Sequence, residues 1–92
     1  MKNLNNLFNN IRYSQELFIN ELVQVIEPKV VNKVNVNQIA RKISVKHEEG
    51  SNALKALSIA EIITYEGVAR KYTSVTIIDE PMFYELRQRI SS

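Results

Sequence analysis

The hydrophobic period of the chain changes once, just past Ile59, and that change restricts the fold more than any other feature. Before it, apolar residues recur at the three- and four-residue spacing of amphipathic helices. After it, IITYEG (62–67) and YTSVTII (72–78) are β-branched and aromatic runs. The runs bracket Gly67, Val68, Ala69, Arg70 and Lys71, and two such runs joined by a short glycine-containing link read as an antiparallel hairpin. In the second run Tyr72, Ser74, Thr76 and Ile78 fall on one face, and Thr73, Val75 and Ile77 on the other. Tyr65 and Tyr72 are placed to pack across the hairpin. A lone two-stranded hairpin is barely stable in water, so helices must cover it.

The helical part supplies that cover. Leu4, Leu7, Phe8 and Ile11 form a stripe along an N-terminal arm, 1–12. A stronger helix follows over about 14–26, with Ser14 as its cap and Leu17, Phe18, Ile19, Leu22, Val23, Val25 and Ile26 as a broad apolar face; Pro28 stops it. Residues 29–33 read as a loop or short helix, and Val34 and Val36 as a short strand. Asn35 or Asn37 then caps a helix over about 37–43 that buries Ile39, Ala40 and Ile43. After a turn at 44–46, another helix spans 47–59 with Ala53, Leu54 and Leu57 inward. Gly50 lies inside it at a cost of roughly 1 kcal/mol relative to alanine, which implies close approach either of another helix, the favoured reading, or of a ligand. DEPMFYELRQRI starts with an acidic residue and an early proline and forms a last helix, 80–90, with Met82, Phe83, Leu86 and Ile90 on its apolar side. The sum is a single α+β domain over 1–92: an arm, a three-helix core with a two-stranded wing over 14–79, and a C-terminal helix. That order is a winged helix-turn-helix.

Net charge is only +2, but it is unevenly placed. Segment 28–55 holds Lys29, Lys33, Arg41, Lys42, Lys46 and Lys55 against Glu48 and Glu49, while the flanking segments are slightly acidic. A local basic face is the footprint of a polyanionic partner, although an unevenly charged solvated helix would leave the same mark.

The run IARKISVKHEEGSNALKALSIAEIITYEGVARKYTSVTII resembles the winged helix-turn-helix family of bacterial DNA-binding domains over about residues 34–79. Its cadence is closest to regulators whose helix-turn-helix ends in N-A-L-x-x-L and passes directly into the wing, as in nutrient repressors of the CodY family. Here that segment is Asn52, Ala53, Leu54, Lys55, Ala56 and Leu57. The resemblance implies a recognition helix in the major groove, supported by the helix before it, with the hairpin on the flanking backbone or minor groove. It also implies dimerisation through outlying helices. The chain departs from the family at Gly50, where an aliphatic residue is usual, and at Ile59-Ala60-Glu61, where a small residue or glycine is usual.

On the helix at 47–59 the outward set is His47, Glu48, Ser51, Asn52 and Lys55. Ser51 and Asn52 can exchange hydrogen bonds with base edges, and Lys55 can reach guanine or phosphate. Lys46 and His47 stand where free backbone N–H groups favour a phosphate. Arg41 and Lys42 are placed to hold the DNA backbone, and Arg70 and Lys71 suit a narrow minor groove at the wing tip. Glu48 and Glu49 repel phosphate unless one accepts from a cytosine amine. The arm stripe of Leu4, Leu7, Phe8 and Ile11 is expected on a second subunit, with packing on its own domain as the alternative.

His47 is the only histidine and there is no cysteine, so no His–Cys pair or multi-histidine metal site can be assembled in one chain. Gly50 and Gly67 do not make a phosphate-binding loop. No enzyme activity, metal or cofactor is expected. Lack of cysteine, of a signal peptide and of a membrane-length apolar run fits a cytoplasmic protein. The expected function is a small homodimeric, sequence-specific binder of double-stranded DNA, a transcriptional regulator acting by occupancy. A centromere-binding adaptor for plasmid or phage segregation uses the same contacts. A protein-interaction module without DNA binding is the alternative from another class, and the two glutamates favour it.

Overall fold

The computed structural model describes residues 4–67 and 72–91. Along the chain run α1 (Leu4–Asn9), α2 (Tyr13–Val25), β1 (Val31–Val34), α3 (Val36–Lys42), α4 (His47–Ile59), β2 (Ile63–Glu66), β3 (Thr73–Ile77) and α5 (Glu80–Ser91). The result is a small mixed α+β domain with five helices and a three-stranded antiparallel sheet among the described residues. None of these helices is long and apolar enough to cross a membrane.

The sheet departs from expectation by one strand. Its order is β1-β3-β2, so the hairpin is joined on its β3 side by Val31–Val34. Val31 lies opposite Thr76 and Val34 opposite Thr73. The expected strand around Val34 and Val36 therefore begins and ends earlier. Asn35 accepts the backbone N–H of Gln38 at 2.9 Å and starts α3 at Val36, which turns into the core instead of continuing the strand. Lys29 takes φ 70° just before the strand, and Asn32 fastens the turn from inside. Its side chain accepts from the Glu27 N–H at 2.9 Å and donates to the Glu27 carbonyl at 2.9 Å.

Pairing in the hairpin is also shifted from expectation. Tyr65 stands opposite Val75, not Tyr72, which lies before β3 begins. The alternation itself is as expected. Thr73, Val75 and Ile77 are buried, and Ser74, Thr76 and Ile78 are half-buried or exposed.

Phe18, Ile19, Leu22 and Val23 of α2, Leu54 and Leu57 of α4, Ile63 and Val75 of the sheet, and Phe83 and Leu86 of α5 form one core. Each large aliphatic or aromatic side chain buried this way stabilises the fold by about 1.5–3 kcal/mol. Val25, expected on the apolar face, is instead exposed at the end of α2. α2 opens one residue earlier than expected. Its cap residue is Arg12, whose backbone N–H is bonded by the Gln15 side chain at 3.2 Å, and Ser14 lies inside the first turn. At the other end, Arg87 of α5 donates to the Val23 carbonyl at 3.2 Å and the Ile26 carbonyl at 3.4 Å, satisfying acceptors that a helix end leaves open. Asp79 caps α5 by accepting the Met82 N–H at 3.2 Å.

α3 and α4 end by the same device. Ser44, φ 59°, follows α3; its N–H reaches the Arg41 carbonyl at 3.2 Å, and the Val45 N–H reaches Ala40 at 2.9 Å. Glu61, φ 62°, follows α4; its N–H reaches Ser58 at 2.9 Å, and the Ile62 N–H reaches Leu57 at 3.1 Å. Both are Schellman closures, which normally place glycine at the left-handed position.

Gly50 marks the tightest approach in the core. A Cβ there would stand 2.7 Å from Phe18 Cε2 and 2.9 Å from Val36 Cγ1, closer than packed carbons tolerate. Gly50→Ala should therefore lower stability by about 1–2 kcal/mol, because overpacking outweighs the gain of roughly 1 kcal/mol in helix propensity. Thermal unfolding checks this, and Phe18→Leu in the same chain should recover part of the loss. Ser44→Gly should raise stability by about 0.5–1 kcal/mol, since it removes the left-handed penalty on a side-chain-bearing residue.

Candidate nucleic-acid interface

α4 buries Gly50, Ala53, Leu54 and Leu57 and turns its other side to solvent. His47, Glu48, Asn52, Lys55 and Ile59 are exposed there, and Ser51 is half-buried. Residues 48, 52, 55 and 59 follow one another at four-, three- and four-residue steps, so they form a single stripe along the middle of the exposed face. The sequence assigns the polar members of this stripe correctly, but Ile59 is a surprise at 73% exposure.

The two glutamates part company. Glu48 stays in the stripe. Glu49 turns to α2, where it accepts a hydrogen bond from the Ser14 hydroxyl and another from the Gln15 side-chain amide at 3.4 Å. The Ser14 bond is the main reason its carboxyl is held below its ordinary value of 4.5. Partial desolvation opposes the shift, while Gln15, the positive charge of Arg12 and a bond from Asn52 support it. One of the two charges expected to repel phosphate is thus committed to joining helices.

The basic residues are also unequal. Arg41 and Lys46 are exposed beside the α3–α4 turn, and Lys55 is exposed farther along α4. Lys42 forms an ion pair with Glu21 of α2 at 2.6 Å, although its side chain remains 69% exposed. A pair so open to water contributes at most about 1 kcal/mol, so Lys42 can exchange Glu21 for another anion. Arg70 and Lys71 lie outside the described residues.

His47 and Ser51 share a small cleft of about 50 Å³ with Val36, Asn37, Leu54, Tyr65 and Thr73. It lies where the starts of α3 and α4 meet the hairpin. Asn37 and Tyr65 thereby join the neighbourhood of α4, which local sequence patterns do not reveal. The tyrosine was expected to pack against Tyr72, and only the strand register brings it here.

The arm stripe expected on a second subunit packs on the chain's own domain. Leu7 is buried, Leu4, Phe8 and Ile11 are half-buried against the core, and the Arg89 guanidinium sits 4.3 Å from the centre of the Phe8 ring. The parts still open to a partner are the outer edges of Leu4, Phe8 and Ile11. Among the described residues no three histidine or carboxylate side chains converge as a metal site requires. No protein-family model and no curated relative matches the chain.

The Glu49 contacts give a signed pH dependence. A carboxylate with a lowered folded pKa stabilises the fold fully above its unfolded value, and the contribution disappears as pH falls from there through the folded pKa. Glu49→Gln should lower the melting temperature at pH 7, and the gap from the unaltered chain should close below about pH 4.5. Melting curves from pH 7 to pH 2.5 check this; a gap that stays constant rules out the charge as its source.

Proposed function

We propose that residues 34–79 form a winged helix-turn-helix that binds double-stranded DNA, with α4 in the major groove and the β2–β3 hairpin as the wing. The chain then acts as a transcriptional regulator by occupying its site. The observation that supports this is the exposed polar stripe of α4, flanked by the exposed Arg41 and Lys46, with the Glu49 carboxylate turned away to Ser14. From Glu48 to Ile59 the stripe is roughly 16 Å long at 1.5 Å per residue, and the major groove is about 12 Å wide and admits one helix.

Roles follow from side-chain chemistry. Arg41 and Lys46 neutralise phosphates and set the docking angle, with Lys42 joining if it leaves Glu21. Asn52 is suited to the paired donor and acceptor of adenine, Lys55 to guanine, and Glu48 to a cytosine amine. His47 and Ser51 edge the cleft toward the hairpin, and Arg70 and Lys71 are assigned to the flanking minor groove.

A protein partner is favoured instead by two members of the same stripe. Exposed Glu48 opposes a phosphate surface, and exposed Ile59 gains nothing from one. Salt dependence separates the two. Binding to duplex DNA should weaken steeply between 50 and 200 mM salt, and Lys46→Ala should reduce the log–log slope by about 0.9, one phosphate's share. Asn52→Ala should cost about 1–3 kcal/mol on the preferred site and almost nothing on random DNA. Binding flat in salt would discard the DNA reading in favour of a protein partner, and no genomic fragment preferred to random sequence by tenfold would discard recognition of a specific site.

A further inference from the structure

Asn52, on the exposed stripe of α4, stands beside an anchored carboxylate. Glu49 lies on the adjoining turn of the helix and accepts a hydrogen bond from the Asn52 side chain. Glu49 is itself held from α2. One of its oxygens accepts from the Ser14 hydroxyl, and the other accepts from the Gln15 amide at 3.4 Å. Gln15 is buried, and its own side-chain oxygen accepts the Arg12 backbone N–H at 3.2 Å, which fixes the way its amide faces. Glu48 is also within a turn of Asn52, but it is exposed, whereas Glu49 is half-buried against α2. We propose that Glu49 is a positioning residue: anchored by Ser14 and Gln15, it holds the Asn52 side-chain amide in the orientation that reads adenine and rejects guanine. The inference rests on the DNA reading of α4 and names what sets the base preference at that position.

The chemistry of the two side chains selects the orientation. The Ser14 bond above all keeps the Glu49 carboxyl below its ordinary value, so it is ionised at pH 7, and an ionised carboxylate only accepts hydrogen bonds. Asn52 therefore turns its nitrogen, not its oxygen, toward Glu49. In the proposed geometry the carboxylate takes the N–H that points away from the amide oxygen. The oxygen and the second N–H then share the outward edge, an acceptor beside a donor. Adenine presents the complement in the major groove, an N6 donor beside an N7 acceptor. Guanine presents two acceptors, O6 and N7, so its O6 would meet the Asn52 oxygen. An amide free to rotate could turn its nitrogen to guanine instead. Holding the amide before DNA arrives also lowers the ordering cost of the contact.

The test uses the full chain and duplexes selected from a randomised pool. Single-base variants of the selected site locate the position whose preference for adenine over guanine Asn52→Ala abolishes. At that position the unaltered chain should prefer adenine by about tenfold. Glu49→Ala should reduce the ratio to within threefold, mainly by improved binding of the guanine duplex, without weakening binding to random DNA. Ser14→Ala, which removes the anchor from α2 and leaves α4 unaltered, should move the ratio the same way. In an Asn52→Ala background, Glu49→Ala should leave the ratio unchanged. Circular dichroism confirms folding at the assay temperature, and Ser14→Ala keeps the test intact should Glu49→Ala unfold. In the free chain, the Asn52 side-chain N–H bonded to the carboxylate should give a downfield proton resonance that moves upfield in Glu49→Ala.

A selected site whose adenine preference depends on Asn52 but survives both Glu49→Ala and Ser14→Ala would overturn this inference and leave the DNA reading standing. Equal loss on adenine, guanine and random duplexes would overturn it too, by assigning Glu49 to stability alone. An Asn52 proton resonance indifferent to Glu49 does so without any DNA. If no duplex is selected from the pool, the inference falls together with recognition of a specific site.

Discussion

The crossing of α2 and α4 at Gly50 governs the rest of the molecule. With no side chain at that position, the Phe18 ring lies against the backbone of α4, and Val36 at the start of α3 closes the other side. Alanine's better helix propensity is given up for contact distance. Once the two helices are that close, Ser14 and Gln15 on α2 come within reach of Glu49, the residue next to the glycine. A polar clasp thus sits beside an apolar contact, and together they fix how α4 is rotated about its own axis. That rotation decides which residues face solvent.

Much of this was legible locally. The limits of α4 follow from the turn before it and the change of period after it, and the faces of β3 follow from alternation. The glycine inside a helix correctly signalled close approach. What failed was non-local. The segment VNKV has no strong period, and it becomes a strand only because β3 offers a free edge. The link between the hairpin runs fixes neither register nor the partner of Tyr65. For the candidate site, the outward set was readable from spacing, but the opposite fates of Glu48 and Glu49 were not. Their difference depends on Ser14, which is 35 residues away in the chain.

Charge and packing are shared out along the same logic. The glutamates at 21 and 49 both lie against neighbouring helices, one pairing with Lys42 at the surface and the other accepting from Ser14. Arg87 and Arg89 are likewise turned inward along the chain's own surface, one toward open carbonyls of α2 and one over Phe8. Arg41, Lys46 and Lys55 face outward around the α3–α4 turn and along α4, while Arg12, Lys29 and Lys33 are exposed elsewhere among the described residues.

The third strand has a mechanical consequence. The hairpin root is laced to β1 across four residue pairs, and β1 runs within one residue of the Asn35 cap that begins α3. Swinging the hairpin as a rigid flap would require unzipping that ladder and disturbing the entry to the next helix. The root therefore acts as a fixed abutment that keeps α3, α4 and the strands in one orientation.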